Sequence, residues 1–184
     1  FIMAEKKVMA VGIKQLWYAD PIATVASSET GLSAAEVKTA KASAKEVLNV
    51  HQDTWNYEEA EATITRYKNQ LTGNTYRETK QAGDVVVNFT IGEYDFTTKQ
   101  DLQGGNATDT KWGRTASDEM IYKCIIAKTL DDVYVVFPKA SISGRGANTD
   151  GAVGLAVSAT AIEPGVDGLE IEAWFNGSEI DAAE

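Results

Sequence analysis

The sequence predicts a mainly β protein with minor α content: an antiparallel β-sandwich or barrel carrying one or two short helices. Three observations carry that expectation. Several short segments alternate apolar and polar residues with the period of two that a half-buried strand requires. Turn residues recur between them at short intervals. The repeated strand–helix–strand unit of a parallel sheet is missing. At 184 residues, 43% of them hydrophobic, the chain can build one sizeable core and is too short for two large ones. The expectation is therefore a single sandwich domain over residues 1–184, in which 33–50 and 103–117 are candidate assembly arms or loops.

Val8 to Tyr18 (VMAVGIKQLWY) is rich in β-branched and aromatic residues and ends at the turn signal Asp20-Pro21, so it reads as the first strand. Phe1-Ile2 ahead of Met3 is unlike a natural start and takes no part in the fold argument. Ser33-x-x-Glu36 is a capping box, and Val37, Ala40, Ala44 and Val47 make a narrow helical stripe behind it. Alanine buries little, so this segment reads either as a helix or as an exposed arm that orders against a partner. Val47 to Trp55 reads as extended, and Thr63 to Lys68 (TITRYK) is a β-rich run closed by Gly73-Asn74.

Asp84 to Gly105 (DVVVNFTIGEYDFTTKQDLQGG) changes period within about twenty residues. Val85, Val87, Phe89 and Ile91 share one face of a strand, then Tyr94, Thr98, Asp101 and Leu102 recur at helical spacing, and Gly104-Gly105 supplies a stop. Glu119 to Lys128 and Val133 to Lys139 are joined by Leu130-Asp131-Asp132, short enough for a hairpin. Ala152 to Ile162 places Val153, Leu155, Val157, Ala159 and Ala161 on one face. Leu169 to Phe175 places Leu169, Ile171, Ala173 and Phe175 on one face and Glu170 and Glu172 on the other. With Pro164 to Gly168 between them, these last two segments are expected to pair as an antiparallel hairpin with a buried face.

Seventeen Lys and Arg against 27 Asp and Glu give a formal charge of −10, which argues against a DNA-coating surface and an anionic-membrane binder. No run approaches the ~20 apolar residues of a membrane span, and the N-terminal residues lack a basic start followed by an apolar signal core. The single cysteine, Cys124, allows no internal disulfide, and beside Ile125 and Ile126 it reads as a buried small hydrophobe.

Signals for catalysis are weak. His51 is the lone histidine, so a histidine-rich metal site is excluded and a Ser-His-Asp triad would have to use this one residue, with Asp53 near it in HQDTW. Ser143 to Gly151 (SGRGANTDG) lacks the Lys-Ser/Thr of a phosphate loop and reads as a mobile connection. Its Asn148-Thr149-Asp150-Gly151 has the look of a calcium loop without the later bidentate glutamate. Glu58, Glu59 and Glu61 offer carboxylates for a glycosidase pair, although a clustered acidic run is usually a solvated face. The expectation is no enzyme and no cofactor or metal.

Four stretches, NVHQDTWNYEEAEAT, YKNQLTGNTYR, FTIGEYDFTTKQDLQGG and DGAVGLAVSATAIEPGVDGLEIEAWF, together resemble the major tail proteins of long-tailed bacteriophages, the subunits that stack into the tail tube. The likeness runs over most of the chain from about Asn49 onward. It implies a β-sandwich flanked by a helix, self-assembled as hexameric rings stacked around a channel, in the tail of a virion put together in the host cytoplasm. The implied partners are other copies of the chain and other tail proteins; DNA passes through without specific binding, and no membrane is involved. The flanking helix would be Tyr94 to Gly104, with Tyr94, Phe96 and Leu102 as its candidate packing residues. An acidic tube wall would let a polyanion slide, and Glu170 and Glu172, opposite the apolar face, are the candidate channel-facing residues. The alternative is a monomeric β-sandwich module for a carbohydrate ligand, with Trp17, Trp55, Trp112 and Trp174 as an exposed stacking platform.

Overall fold

The computed structural model describes residues 7–25 and 31–182; Phe1 and Ile2 lie outside them. Among the described residues, one antiparallel sheet dominates. Strands β1 (Gln15–Ala19), β2 (Lys45–Glu46), β3 (Asn56–Glu59), β6 (Val85–Ile91), β9 (Ile121–Lys128), β10 (Val133–Thr149) and β11 (Ala152–Ala161) run in the order β2-β1-β9-β10-β11-β6-β3, and β12 (Ala173–Asn176) adds to β10. Two hairpins stand apart: β4 (Thr63–Lys68) with β5 (Thr75–Gln81), and β7 (Asn106–Thr108) with β8 (Lys111–Gly113). Three short helices complete the fold: α1 (Ala34–Ser43), α2 (Phe96–Gln103) and α3 (Gly177–Asp181). The fold class expected from the alternating pattern is the one observed.

The sheet curls until its ends meet. After β2 leaves the edge of β1, Val47 N–H donates to the Leu16 carbonyl at 2.8 Å, while His51 N–H donates to the Thr90 carbonyl of β6 at 2.7 Å and Val50 bridges Ile91. Residues 45–51 are thus the seam between the first and last long strands of a barrel-like sandwich. Inside it, Leu16, Phe89, Ile125, Phe137, Leu155 and Val157 pack in one buried cluster. The outer face of β1, β9 and the start of β10 is buried too: Trp17, Cys124, Ile126, Tyr134 and Val136 lie in a second cluster with Val37 of α1 and Ile180 of α3. Burial on both faces explains why these strands read as continuous apolar runs rather than alternations.

The capping box at α1 is formed, with Glu36 N–H donating to Ser33 Oγ at 3.3 Å and Ser33 N–H to Glu36 Oε2 at 2.8 Å. The stripe behind it is shorter than expected. Val37 is buried in the outer cluster, Ala44 is the C-cap, and Val47 belongs to the inner cluster on the other side of the sheet. Segment 33–50, expected as a candidate arm, is therefore half helix and half barrel seam, both packed into the domain.

Two further expectations are corrected. The first strand is not Val8 to Tyr18 but Gln15–Ala19; Val8, Met9 and Val11 are exposed, and the segment before β1 is held by Lys14 N–H on the Lys128 carbonyl at 2.7 Å and Val11 N–H on Asp131 Oδ2 at 2.9 Å. The last two strands do not pair with each other. β11 already has β10 on one side and β6 on the other, so no edge is left for the C-terminal strand. Only Ala173–Asn176 is strand, and it pairs with Val133–Val136 at the start of β10. Ile171, expected in the buried face, is 48% exposed.

β10 can serve both neighbours because it changes partner along its length. Its first residues pair with β12, those from Ala140 onward with β11, and the register with β9 shifts between Phe137 and Ala140. Pro138 lies at that shift, where a residue without an N–H is tolerated in a sheet. Ser143 to Gly151 is consequently strand and turn rather than a mobile connection. Asp150 and Gly151 take φ of 51° and 87°, as the two central residues of a type I′ hairpin turn require.

The carboxylates that tie down the helices have depressed pKa values. Asp181, although burial pushes it up, is held down to about 2 by hydrogen bonds from Lys128, Tyr134 and Lys41 that fasten α3 to the sheet and α1. Asp95 is held at about 2 by the Thr98 N–H it caps and by Lys45. Folded values below the ordinary 3.8 mean that both contribute stability above that value and lose it as pH falls towards 2. The urea midpoint is expected to drop between pH 5 and pH 2.5, and an Asp95→Asn/Asp181→Asn variant to be weaker at pH 5 with a shallower drop. An unchanged pH slope in that variant would contradict these assignments.

Candidate functional site

The helix expected from Tyr94 to Gly104 runs from Phe96 to Gln103, so Tyr94 precedes its N-cap Asp95. Leu102 is fully buried and joins the inner core cluster, and Tyr94 packs partly against it with its hydroxyl donating to the Val153 carbonyl at 3.2 Å. Phe96, at 39% exposure, faces outward instead, on the side of α2 away from the buried Thr98 and Leu102. Asp95 caps the helix start and Gly104, with φ of 88°, ends it. The helix can sit this close to β10 only because Gly144 has no side chain: a Cβ there would lie 2.4 Å from the Leu102 carbonyl oxygen. The glycines of SGRGANTDG that suggested a loop thus have a packing reason and a turn reason.

Glu170 and Glu172 are not on a regular strand. Glu170 Oε2 accepts the Leu32 N–H at 2.7 Å, and Glu172 Oε2 accepts the Tyr57 hydroxyl at 2.8 Å. Burial first, then the adjacent Glu172, raises the Tyr57 pKa. Each glutamate therefore has a structural bond within the subunit, and replacing them is no neutral change of surface charge.

The residues that hinted at catalysis are dispersed. His51 Nε2 lies 2.9 Å from Asp150 Oδ2 at the β10–β11 turn, not beside Asp53, which occupies a turn at φ of 61°. Asn148 Oδ1 accepts the Gly151 N–H at 3.1 Å, so the four residues with a calcium-loop look are the hairpin turn itself. Cys124 is buried, and desolvation pushes its thiol up to about 12, which leaves no thiolate at neutral pH. Among the described residues no group of three or more His, Cys, Asp or Glu could hold a metal ion. No described helix is long and apolar enough to cross a membrane.

The four tryptophans do not form one exposed platform. Trp17 is buried and stacks on Tyr134, and Trp55 stacks on Phe89. Trp174, 42% exposed, meets Tyr57 edge-on. Trp112 donates its indole N–H to the Gly104 carbonyl at 2.9 Å. Segment 103–117, the other candidate arm, thus contains the small β7–β8 hairpin pinned to the end of α2.

The most distinctive surface is one the sequence showed only as a β-rich run. Every residue of β4 and β5 is exposed, with Ile64, Tyr67 and Tyr76 on the strands and Leu71 near the tip, the last 94% exposed. The hairpin's base is pinched: Ala60 N–H donates to the Asp84 carbonyl at 2.9 Å, and a Cβ on Gly83 would come within 2.0 Å of the Ala60 carbonyl oxygen. The signal that could have located it is polar composition on both faces of the second strand, TYRETKQ, which no core could accept.

Compared with models of known protein families, the chain matches none. A search of curated proteins likewise gives no match.

Proposed function

We propose that the chain is a structural, non-catalytic subunit that assembles with copies of itself into stacked rings, forming the tail tube of a phage or prophage through which DNA passes. The observation that carries this reading is the β4–β5 hairpin. A two-stranded hairpin is marginally stable alone in water, and this one extends without packing on the core while presenting Ile64, Tyr67, Leu71 and Tyr76 to solvent. Such a structure is explained by a partner surface that covers it. The antiparallel sandwich, the resemblance of four stretches to tail-tube subunits and the charge of −10 support the same reading. A closed acidic ring repels a polyanion over the ~8 Å reach of charge at physiological salt, so DNA slides rather than sticks.

Size-exclusion chromatography with light scattering, followed by negative-stain microscopy over a concentration series, tests the proposal. Rings or tubes that accumulate with concentration are the expected result. A subunit that remains monomeric throughout the series overturns it.

A further inference from the structure

Between the C-terminal end of α2 and the β7–β8 hairpin lies a polar pocket of about 500 Å³, lined among others by Gln103, Trp112, Arg114, Thr115, Ser117 and Glu119. Trp112 in its wall has two cations over its ring, Arg114 Cζ from within the lining at 5.8 Å and Lys99 Nζ from outside it at 4.5 Å from the ring centroid; Glu119 is the carboxylate in the lining. Seven other basic side chains of the described residues pair with carboxylates. Lys99 and Arg114 form no such pair among the described residues, nor do eight further Lys and Arg side chains; what sets these two apart is that both lie over one aromatic ring. Burial, and then the charge of Arg114, lower the Lys99 pKa, as expected for cations that lack a counter-charge. Gln103 Oε1 is buried in the lining of the pocket and accepts no hydrogen bond from the described residues.

An occupant that complements these groups brings carboxylate oxygens for Lys99 and Arg114, with which Glu119 in the lining does not pair, and an N–H for Gln103. A sugar stacked on Trp112 would have to compete with the cations already over the ring. An extended polypeptide edge with acidic side chains supplies both kinds of group, and the chain itself has one. β3 ends the sheet order, so among the described residues no strand pairs with its outer edge, and it carries Glu58 and Glu59, both exposed and in no ion pair there.

We infer that the surface formed by Lys99, Trp112 and Arg114 at the rim of this pocket is the receptor for the acidic edge strand β3 of a second copy of this chain. The contact joins two different surfaces, so it repeats head to tail and closes into a ring where the rotation allows. This inference rests on the proposed self-assembly and names one contact by which it occurs. Charge complementarity gives the contact its specificity and makes it sensitive to salt.

Two variants test it, Lys99→Glu/Arg114→Glu and Glu58→Lys/Glu59→Lys, each checked by circular dichroism for retained folding. Each alone is expected to require at least about ten-fold more protein to assemble, a factor of ten being the loss of a single strong contact. Mixed in equal amounts they are expected to co-assemble, because each reversed surface then meets its complement. Wild-type assembly should weaken from 50 mM to about 500 mM salt as the charges are screened. If the wild type assembles and either variant alone does so equally well, or if the mixture of folded variants fails to assemble, the inference falls while the proposed function stands. A wild type that never assembles overturns both.

Discussion

Leu155→Asp is expected to abolish soluble folding, whereas Ile171→Asp is expected to leave a folded subunit. Leu155 is fully buried in the inner cluster, on a strand flanked by β10 and β6. Removing its side chain alone costs about 2–5 kcal/mol, and the unpaired carboxylate adds several more, against a total stability of roughly 5–15 kcal/mol. Ile171 is 48% exposed and outside any strand, so an aspartate there keeps most of its hydration. Soluble yield and thermal melting of the two variants are the measurement. A melting temperature for Leu155→Asp within a few degrees of the parent, or equal loss of both variants, would contradict this arrangement of the core.

Excising residues 63–81 and joining the ends through a short Asn-Gly turn is expected to leave a folded monomer that does not form tubes. Every residue of both strands is exposed, so the core loses no buried contact from them. The ends to be joined already meet at Ala60 and Asp84, and Gly83 permits the close approach. On the proposed reading, what is lost is the covering of Ile64, Tyr67, Leu71 and Tyr76 by a neighbour, and with it a rise of about a hundred-fold or more in the concentration needed for assembly, since each buried aromatic or aliphatic anchor contributes about 1.5–3 kcal/mol. Melting curves establish that the shortened subunit folds, and microscopy shows whether it polymerises. Tubes formed by the shortened protein at the parent's concentration would remove the hairpin from the contacts.

Local chemistry was legible in the sequence wherever a few adjacent residues decide the outcome. The Ser33–Glu36 box caps a helix because both hydrogen bonds lie within one turn. Val87, Phe89 and Ile91 fall on the buried face of β6 because alternation and burial share a period of two, and Gly104 ends α2 because it takes a positive φ at no steric cost. The burial of Cys124 followed from the isoleucines beside it.

What only the tertiary structure decided is where each element finds its partner. Leu169 to Phe175 alternates like a strand paired with its predecessor, yet both edges of β11 are taken and the free edge is at the start of β10, so β12 forms there and leaves Ile171 in solvent. The glycines of Ser143 to Gly151 have the composition of a loop; the approach of Leu102 to Gly144 is a contact between residues 42 positions apart that composition cannot encode. The seam at 45–51, the exposure of β4 and β5, and the meeting of Lys99 and Arg114 over Trp112 are likewise long-range or surface geometries. Periodicity reports the environment of a residue's own backbone, whereas strand order depends on which edges remain unpaired once the whole sheet has closed.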